Sequence, residues 1–266
     1  MNFKIVINRA YEELKRKNIK SALIDSELLL AQAINKSREF IILNLDHNIS
    51  KKEYDYFQKM VNQRSKGKPI AYLTGKKFFW KDEFLINENV LIPRPDTEII
   101  IEQVLKIYKK KNKVSFLDIG FGSGCILLSL LKERKDFVAT GVDISNHALK
   151  VCKINAYKLG VKNRVRLFKS DIDKFFKGKY DLIISNPPYI KNLDLKYLEK
   201  DVIEFEPELA LNGGLDGLSE IRKIIKKSSE LIKNGGKLIL EIAFNQKKEV
   251  KQLLKNNGFY INSVVK

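Results

Sequence analysis

The chain contains few of the residues that build metal centres and disulfide frameworks. Its 266 residues include only two Cys and two His. Cys125 and Cys152 form no C-x-x-C pair, and His47 and His147 lie far apart in the sequence. We therefore expect no metal site, and we expect reduced thiols, which are typical of a cytoplasmic protein.

Long apolar runs are absent from the sequence as well. No run approaches the ~20 residues that cross a bilayer. The first seventeen residues, MNFKIVINRAYEELKRK, are charged throughout, unlike a signal peptide. The sequence therefore predicts neither a membrane span nor export. With 44% hydrophobic and 31% charged residues it predicts a globular protein, rather than a disordered or fibrous one.

Acidic residues are outnumbered, with 32 Asp and Glu against 50 Lys and Arg, and the net charge is +18. Such a charge favours acidic or polyanionic partners. The basic residues are scattered, however, and form no stripe interleaved with aromatic residues of the kind that binds nucleic acid. We expect at most a weak electrostatic contact with nucleic acid, one that function does not require, and we expect a monomer.

Residues 1–75 carry only helical signals, and we interpret them as a small N-terminal helical domain. A second helix is predicted to begin after the N-cap Ser21. Further N-caps are predicted at Ser37 and at Ser50, which begins a capping box with Glu53. The face that the first helix buries is predicted to contain Phe3, Ile7, Ala10, Tyr11 and Leu14. The face that the second helix buries is predicted to contain Ile24, Leu28 and Ala31.

The apolar periodicity changes after residue 75. Residues 77–80 and 84–87 alternate or run apolar around Lys81-Asp82-Glu83, which predicts a β-hairpin. We therefore interpret residues 76–90 as a hairpin linker. The following loop contains Pro93 and Pro95, which fix its backbone and hold Arg94 between them. A helix over residues 96–110 is predicted to follow.

From residue 113 the chain alternates short apolar strands with helical segments. This alternation predicts an α/β fold in which helices cover a mostly parallel, doubly wound sheet over residues 91–266. Residues 191–217 form a long stretch without a strand pattern, and loops of that length in a compact domain are usually functional. The predicted strands are 114–119, 137–142, 165–169, 182–185, 237–242 and 260–265.

A glycine-rich turn, D-x-G-x-G-x-G, follows the first strand of the predicted sheet and begins a helix. Its glycines let a ligand approach the backbone closely. Cys125 stands where a G-x-G-x-x-G pyrophosphate fingerprint needs its last glycine, and the acidic Asp143 ends the next strand, where a carboxylate accepts ribose hydroxyls. We therefore expect an adenosine cofactor without a pyrophosphate. Contacts to it are predicted from Asp118, Gly120, Phe121, Gly122, Ser123, Gly124, Asp143, Asp171 and Ile172, with Asp171 meeting the adenine amino group and Ile172 the ring face.

The sequence Asn186-Pro187-Pro188-Tyr189 ends the buried apolar run that begins at Tyr180. Proline has no N–H to donate, so the strand must stop at Asn186. The carboxyl ends of the strands line the ligand crevice of an open α/β sheet. Asn186 can therefore exchange hydrogen bonds with a planar substrate that carries an NH₂ group, while Tyr189 offers an apolar wall.

Together these motifs resemble class I S-adenosylmethionine-dependent methyltransferases. More narrowly, the chain resembles the bacterial peptide chain release factor N5-glutamine methyltransferase family. The resemblance spans nearly the whole chain. Besides Asn-Pro-Pro-Tyr, it is carried by P-R-P-D-T-E at 93–98, D-I-G-F-G-S-G-C-I at 118–126 and F-E-P-E-L-A-L-N-G-G at 205–214.

The resemblance implies methyl transfer from S-adenosylmethionine, which becomes S-adenosylhomocysteine, to the glutamine N5 atom in the Gly-Gly-Gln motif of release factors. It implies that Asn186 Oδ1 and the Pro187 carbonyl accept the substrate N–H bonds, with Tyr189 packing beside the glutamine and Asn186 also near the cofactor. Arg94 and Glu98 would shape the pocket wall or form a structural ion pair. Residues 1–75 would recognise the protein substrate. The substrate-binding residues implied are Asn186, Pro187, Pro188, Tyr189 and Arg94.

Three departures from the family pattern stand in the sequence. Phe121 replaces the usual Thr, and Ile172 stands where an aromatic residue often lies against adenine, so cofactor affinity is expected to differ. The chain ends at Lys266, before a further antiparallel strand that such folds carry, which suggests truncation. Three alternatives are a ribosomal-protein glutamine methyltransferase, a nucleic-acid amino methyltransferase and an inactive binding protein. The ribosomal group typically has Ser after Pro-Arg, whereas this chain has Pro95-Asp96, which argues against the first alternative. The intact Asp118, Asp143 and Asn186 argue against the last.

Overall fold

The computed structural model describes residues 1–111 and 113–265, which form two compact units. The first unit contains Met1–Lys76 together with Glu199–Phe205, and the second contains Lys77–Leu198 and Glu206–Lys266. No helix among the described residues is both long and apolar enough to cross a membrane.

The first unit is helical, as the sequence predicts. The side chains of Asn2, Ser37 and Ser50 cap helices by accepting backbone N–H bonds, and Ser50 and Glu53 form the predicted capping box. Phe3, Leu14, Leu29, Phe57 and Val61 share one apolar core. The helices are α1 (Phe3–Arg16), α2 (Ala22–Ala33), α3 (Arg38–Leu43), α4 (Lys51–Ser65) and α5 (Ile70–Thr74).

Helix α2 differs from the sequence prediction in its cap and in its buried face. The Ser21 side chain caps no backbone group, because its hydroxyl donates to Asp25 Oδ2 at 2.9 Å. Asp25 is buried and also pairs with Arg64 at 2.7 Å. The buried face also contains Leu29, Leu30 and the predicted Ala31, whereas Ile24 is 49% exposed and Leu28 is half-buried. Since α2 has apolar residues on both its buried and its exposed side and buries the polar Asp25 and Ser26, its periodicity could not select the buried face.

A two-stranded hairpin follows, formed by β1 (Lys76–Phe79) and β2 (Asp82–Leu85). Its turn is at Trp80 and Lys81, earlier than the sequence predicts, and Trp80 has a φ of 58°. Two contacts hold Trp80 there: its backbone N–H donates to Glu98 Oε1 at 2.7 Å, and its indole N–H donates to Glu133 Oε1 at 2.8 Å.

The second unit contains a parallel sheet of five strands in the order β5-β4-β3-β6-β7, covered by helices, so the predicted Rossmann-like fold class is confirmed. The strand order reverses beside β3, which places a ligand crevice at the carboxyl ends of β3 and β6. The strands are β3 (Ser115–Ile119), β4 (Val138–Asp143), β5 (Val165–Lys169), β6 (Tyr180–Ser185) and β7 (Ile232–Leu240). The helices of this unit are α6 (Glu98–Ile107), α7 (Cys125–Glu133), α8 (Asn146–Lys158), α10 (Ser219–Leu231) and α11 (Lys247–Asn256), whereas α9 (Lys200–Phe205) belongs to the first unit.

The predicted strand at residues 260–265 is wrong, because residues 259–265 carry no regular secondary structure. Tyr260 is 88% exposed, and Val264 and Val265 are about half exposed, so no apolar face is buried against the sheet. Without burial and a partner strand, nothing offsets the entropy lost on ordering this segment. The described sheet therefore has five strands, one fewer than the six predicted from the sequence.

Candidate active site

The glycine-rich turn connects β3 to α7, and its three glycines have positive φ angles for different reasons. A Cβ added to Gly120 or Gly122 would meet no atom within 4 Å, so the space beyond these two residues is open. A Cβ on Gly124 would lie 2.5 Å from Cys152 Sγ and 2.9 Å from Leu128. Gly120 and Gly122 therefore leave room for a ligand, whereas Gly124 is required by the packing of the helices.

Asp118, at the end of β3, is buried beneath this turn with 1% exposure. Neither of its carboxylate oxygens has a hydrogen-bond partner among the described residues. Burial, and to a lesser extent the charge of Asp143, raises the pKa of Asp118 to about 8. A buried carboxyl group without partners favours the approach of a cation or a hydrogen-bond donor.

Asp143 ends β4 and ties the turn to the sheet. Its Oδ2 accepts the Gly122 N–H at 2.9 Å and its Oδ1 accepts the Ser145 N–H at 2.8 Å. Burial raises the pKa of Asp143, while the two backbone N–H bonds oppose the shift. A carboxylate has about four acceptor positions, so two remain for the hydroxyls of a ribose.

The remaining predicted cofactor residues lie around the same edge of the sheet, although several side chains face the core. The Phe121 ring is 4% exposed and packs where a Cβ on Gly141 would be. Ser123 is buried, and its carbonyl accepts from Asn155 Nδ2 at 2.9 Å. Asp171 accepts the Asp173 N–H, and Ile172 is 6% exposed in the apolar cluster beneath the sheet edge.

These residues fit an adenosine cofactor. The structure provides two glycines with open space, a carboxyl group without a partner and a second carboxylate with acceptor positions to spare. For Phe121 and Ser123 the backbone, rather than the buried side chain, would make the contact. Ile172 presents only a small part of its surface toward any ring.

Asn186 follows β6 and is held by two polar groups from distant parts of the chain, the buried Thr97 and the half-buried Glu241. Its Nδ2 donates to Thr97 Oγ1 at 3.1 Å, and the Thr97 hydroxyl donates to Glu241 Oε2 at 2.7 Å. Thr97 is 2% exposed, immediately before α6, and Glu241 follows β7. Burial raises the pKa of Glu241, while the Thr97 and Tyr189 hydroxyls oppose the shift.

Tyr189 contacts the same carboxylate, because its hydroxyl donates to Glu241 Oε1 at 3.4 Å. Burial, and then the Glu241 charge, raises the pKa of Tyr189 to about 12, so the phenol stays protonated. Between the two polar residues, Pro187 is buried and Pro188 is half-buried. The four residues of the Asn-Pro-Pro-Tyr motif thus lie at the carboxyl end of β6 as the sequence predicts.

Sequence reasoning did not identify Glu241 as a site residue and gave Thr97 no role of its own. A weak signal was present for each. Glu241 is a carboxylate at the end of an apolar strand, and Thr97 lies within the family's Pro-Arg-Pro loop. Neither position could be assigned because the Thr97–Asn186 and Thr97–Glu241 contacts join residues that are 89 and 144 positions apart.

Arg94 forms an ion pair with Glu206, not with Glu98. Glu206 is 7% exposed and also accepts the Ile92 N–H at 3.3 Å, so it fastens the loop before α6. Glu98 instead accepts from the backbone of Trp80. The alternative of an Arg94–Glu98 ion pair is therefore wrong, and the pair joins the Pro-Arg-Pro loop to the Phe-Glu-Pro motif.

The glycines at the end of the 205–214 motif bring it beside the residues that follow Tyr189. The Gly213 N–H donates to the Ile190 carbonyl and so joins the two segments. Gln246 Nε2 donates to the Tyr189 carbonyl at 3.0 Å. A Cβ on Gly217 would lie 2.5 Å from that carbonyl oxygen. A cavity of about 550 Å³ lies on this side of the unit, lined by Lys191, Asp216, Leu218, Arg222, Asn245, Gln246, Lys248, Glu249, Gln252 and Leu253. It contains none of the predicted site residues.

The chain matches two family models: the PrmC N-terminal domain over residues 6–75 and the methyltransferase small domain over residues 96–215. It is 38% identical to a release factor glutamine methyltransferase of Buchnera aphidicola subsp. Acyrthosiphon pisum, covering 98% of this chain and 92% of that protein. It is 37% identical to the release factor glutamine methyltransferase of Clostridium acetobutylicum, covering 97% and 92%.

Other relatives are longer than this chain. A bifunctional methyltransferase of Rickettsia typhi is 35% identical over 99% of this chain, which spans only 54% of that protein's length. Among solved structures, a ribosomal protein L11 methylase from Lactobacillus delbrueckii subsp. bulgaricus superposes with a TM-score of 0.50 at 18% identity, over 71% of this chain and 83% of that one. That likeness shows the fold alone. The two relatives covered over 92% of their length show that this chain belongs to the release factor glutamine methyltransferase family, whose members are S-adenosylmethionine-dependent enzymes.

Proposed function

We propose that this chain transfers the methyl group of S-adenosylmethionine to the N5 amide nitrogen of the glutamine in the Gly-Gly-Gln motif of peptide chain release factors. Family membership supports the reaction and the substrate class. The observation that carries the proposal within the site is the orientation of Asn186. Its NH₂ group is engaged by Thr97, which leaves its oxygen as the atom that meets a substrate N–H.

The difficulty of the reaction lies in the nucleophile. A carboxamide nitrogen is a weak nucleophile because its lone pair is delocalised into the carbonyl. Asn186 Oδ1 and the Pro187 carbonyl accept its two N–H bonds and so direct the lone pair outward, and Tyr189 packs against the glutamine side chain. Holding the reactants in this alignment accounts for much of the rate. When bound, the cofactor supplies an electrophilic methyl group on a sulfonium. The substrate proton becomes acidic after transfer and leaves to water.

The cofactor is assigned to the turn between β3 and α7. Gly120 and Gly122 let it approach the backbone, Asp143 accepts its ribose hydroxyls, and Asp171 accepts its adenine amino group. Asp118 lies below as a buried carboxyl group with hydrogen-bonding capacity left for the cofactor. Arg94 shapes the substrate side of the pocket through its pair with Glu206.

The helical residues 1–75 recognise the release factor, the hairpin at 76–90 is the linker, and residues 91–266 carry the chemistry. The position of every proposed site residue after Pro93 supports this division. We further propose a cytoplasmic enzyme that acts as a monomer and needs no nucleic acid. The two free cysteines support the cytoplasmic assignment, and the scattered distribution of the basic residues supports an activity that needs no nucleic acid.

The experiment is to incubate the protein with methyl-labelled S-adenosylmethionine and either a release factor or an RNA, and then to map the label. Label on the glutamine of the Gly-Gly-Gln peptide is expected. A release factor in which that glutamine is replaced by alanine is the control. Label on RNA, or on another residue of the release factor, would overturn the proposal.

A further inference from the structure

We propose that Glu241 and Thr97 are positioning residues that determine which end of the Asn186 amide faces the substrate. The inference rests on the proposed function, because it assigns a use to the orientation of Asn186 in that reaction. It concerns two residues that touch neither reacting atom. Their role is to fix the direction in which hydrogen bonds run through Asn186.

The three groups Glu241, Thr97 and Asn186 share a limited number of hydrogen-bonding protons. An ionised Glu241 only accepts hydrogen bonds, and the Thr97 hydroxyl has a single hydrogen to donate. Glu241 Oε2 takes that hydrogen at 2.7 Å, so Thr97 Oγ1 can only accept from its other neighbour. That neighbour is the Asn186 amide at 3.1 Å, which must therefore present its NH₂ group.

A reversed amide would place Asn186 Oδ1 against Thr97 Oγ1 with no proton between the two oxygens. Buried polar atoms left without partners are costly, and Thr97 is 2% exposed. The chain of donors therefore selects one of the two amide orientations. In the selected orientation an acceptor faces the substrate NH₂ group, whereas the reversed amide would oppose one donor with another.

The backbone holds the residues of this hydrogen-bonded series in place. The Glu241 N–H donates to the Ser185 carbonyl at 3.0 Å, so the carboxylate lies beside the residue that precedes Asn186. Thr97 lies in the short turn Pro95–Thr97, which begins with a proline and leads into α6. The second oxygen of Glu241 accepts from the Tyr189 hydroxyl. One carboxylate thus aligns the amide and the aromatic ring of the same motif.

The test compares Glu241→Gln, Thr97→Val and Thr97→Ser in the full chain, with a Gly-Gly-Gln peptide as substrate. In Glu241→Gln, the new NH₂ group can donate to Thr97 Oγ1. The Thr97 hydrogen is then free to turn toward Asn186, so the reversed amide becomes possible. We expect kcat to fall about 100-fold in Glu241→Gln and in Thr97→Val, the scale of losing one preorganised hydrogen bond. Thr97→Ser keeps the hydroxyl and is expected to stay within about threefold of the wild type.

Three controls separate positioning from folding. Glu133→Gln makes the same charge change at a carboxylate bound to Trp80 and Lys81, and it should leave kcat unchanged. The dissociation constant of S-adenosylmethionine and the melting temperature are expected to stay near wild type in Glu241→Gln. The KM of the peptide is expected to change less than kcat, since the orientation matters most in the transition state.

Retention of wild-type kcat in Glu241→Gln would overturn the inference. Thr97→Ser as poor as Thr97→Val would also overturn it, because the methyl packing rather than the hydroxyl would then matter. A wild-type protein that methylates no glutamine would overturn the proposed function instead. In that case exchange of the Asn186 side-chain NH₂ protons, followed by NMR, still decides the orientation. Protection in the wild type that is lost in Thr97→Val supports it, and equal exchange in both contradicts it.

Discussion

Replacing Asp143 by alanine tests the cofactor site most sharply, because one side chain both supports the glycine turn and is assigned to the ribose. The wild-type carboxylate accepts the Gly122 and Ser145 N–H groups at 2.9 and 2.8 Å. Alanine leaves both amides without that partner and removes the acceptor for the ribose hydroxyls. Both losses act on the same end of the sheet.

The expected loss follows from hydrogen bonds to a charged acceptor, which contribute about 1.5–3 kcal/mol. This corresponds to a roughly 10- to 150-fold increase in the dissociation constant of S-adenosylmethionine. Asp143→Asn should bind no better than the alanine variant. Its oxygen can replace one acceptor, but its NH₂ group must then face one of the two backbone N–H groups.

Isothermal titration calorimetry with S-adenosylmethionine and S-adenosylhomocysteine measures this change. Asp55→Ala, on the exposed side of α4, removes the same charge far from any proposed site residue in sequence and serves as the control. Unchanged affinity in Asp143→Ala would refute the reasoning. Tighter binding of a dinucleotide than of S-adenosylmethionine by the wild type would refute it as well.

Three further predictions concern the turn, its buried acid and the helical unit. Gly124→Ala should lower the free energy of unfolding by roughly 2–4 kcal/mol, because the new Cβ meets Cys152 at a φ of 82°. Gly120→Ala should lower it by only about 1–2 kcal/mol, and a denaturant titration in which the two variants lose equally would contradict the packing argument. Asp118 has a pKa of about 8 in the folded protein and about 3.9 in the unfolded chain, so the free energy of unfolding should fall as pH rises from about 4 to 8. Melting curves of Asp118→Asn should lack this pH dependence. The same pH dependence in wild type and variant would contradict the assignment. Deleting residues 1–75 should raise KM for whole release factor far more than for a Gly-Gly-Gln peptide, whereas equal losses would assign this segment to folding or cofactor binding.

Local physical chemistry made much of the fold predictable. The caps at Ser37 and Ser50 and the alternation of strands with helices depend on neighbouring residues, and both agree with the structure. Most of the buried face of α2 could not be predicted, because it contains the polar Asp25, whose partner Arg64 lies 39 residues further along the sequence. The failed strand at 260–265 has the right residue types but buries no face in the structure.

The candidate site could likewise be predicted in part from the sequence. Its motif residues could be located from strand ends, since the carboxyl edge of a parallel sheet gathers them. Their partners could not, because Arg94 and Glu206 are 112 residues apart and Thr97 and Glu241 are 144 apart. Such pairs depend on how the Pro-Arg-Pro loop and the last strand meet at the sheet edge. The sequence alone does not show which residues of these two segments come into contact.

The central claim is that the Asn186 oxygen receives the glutamine N–H while its NH₂ group stays bound to Thr97. Single-turnover methylation of a Gly-Gly-Gln peptide, at saturating S-adenosylmethionine, measures the chemical step directly. Asn186→Ala is expected to slow this step by about 10²–10³. Asn186→Asp is expected to be nearly as slow, because a carboxylate cannot donate to Thr97 and lies close to the charge of Glu241. A fully active Asn186→Ala enzyme would contradict the account, and the motif would then be a structural end to β6.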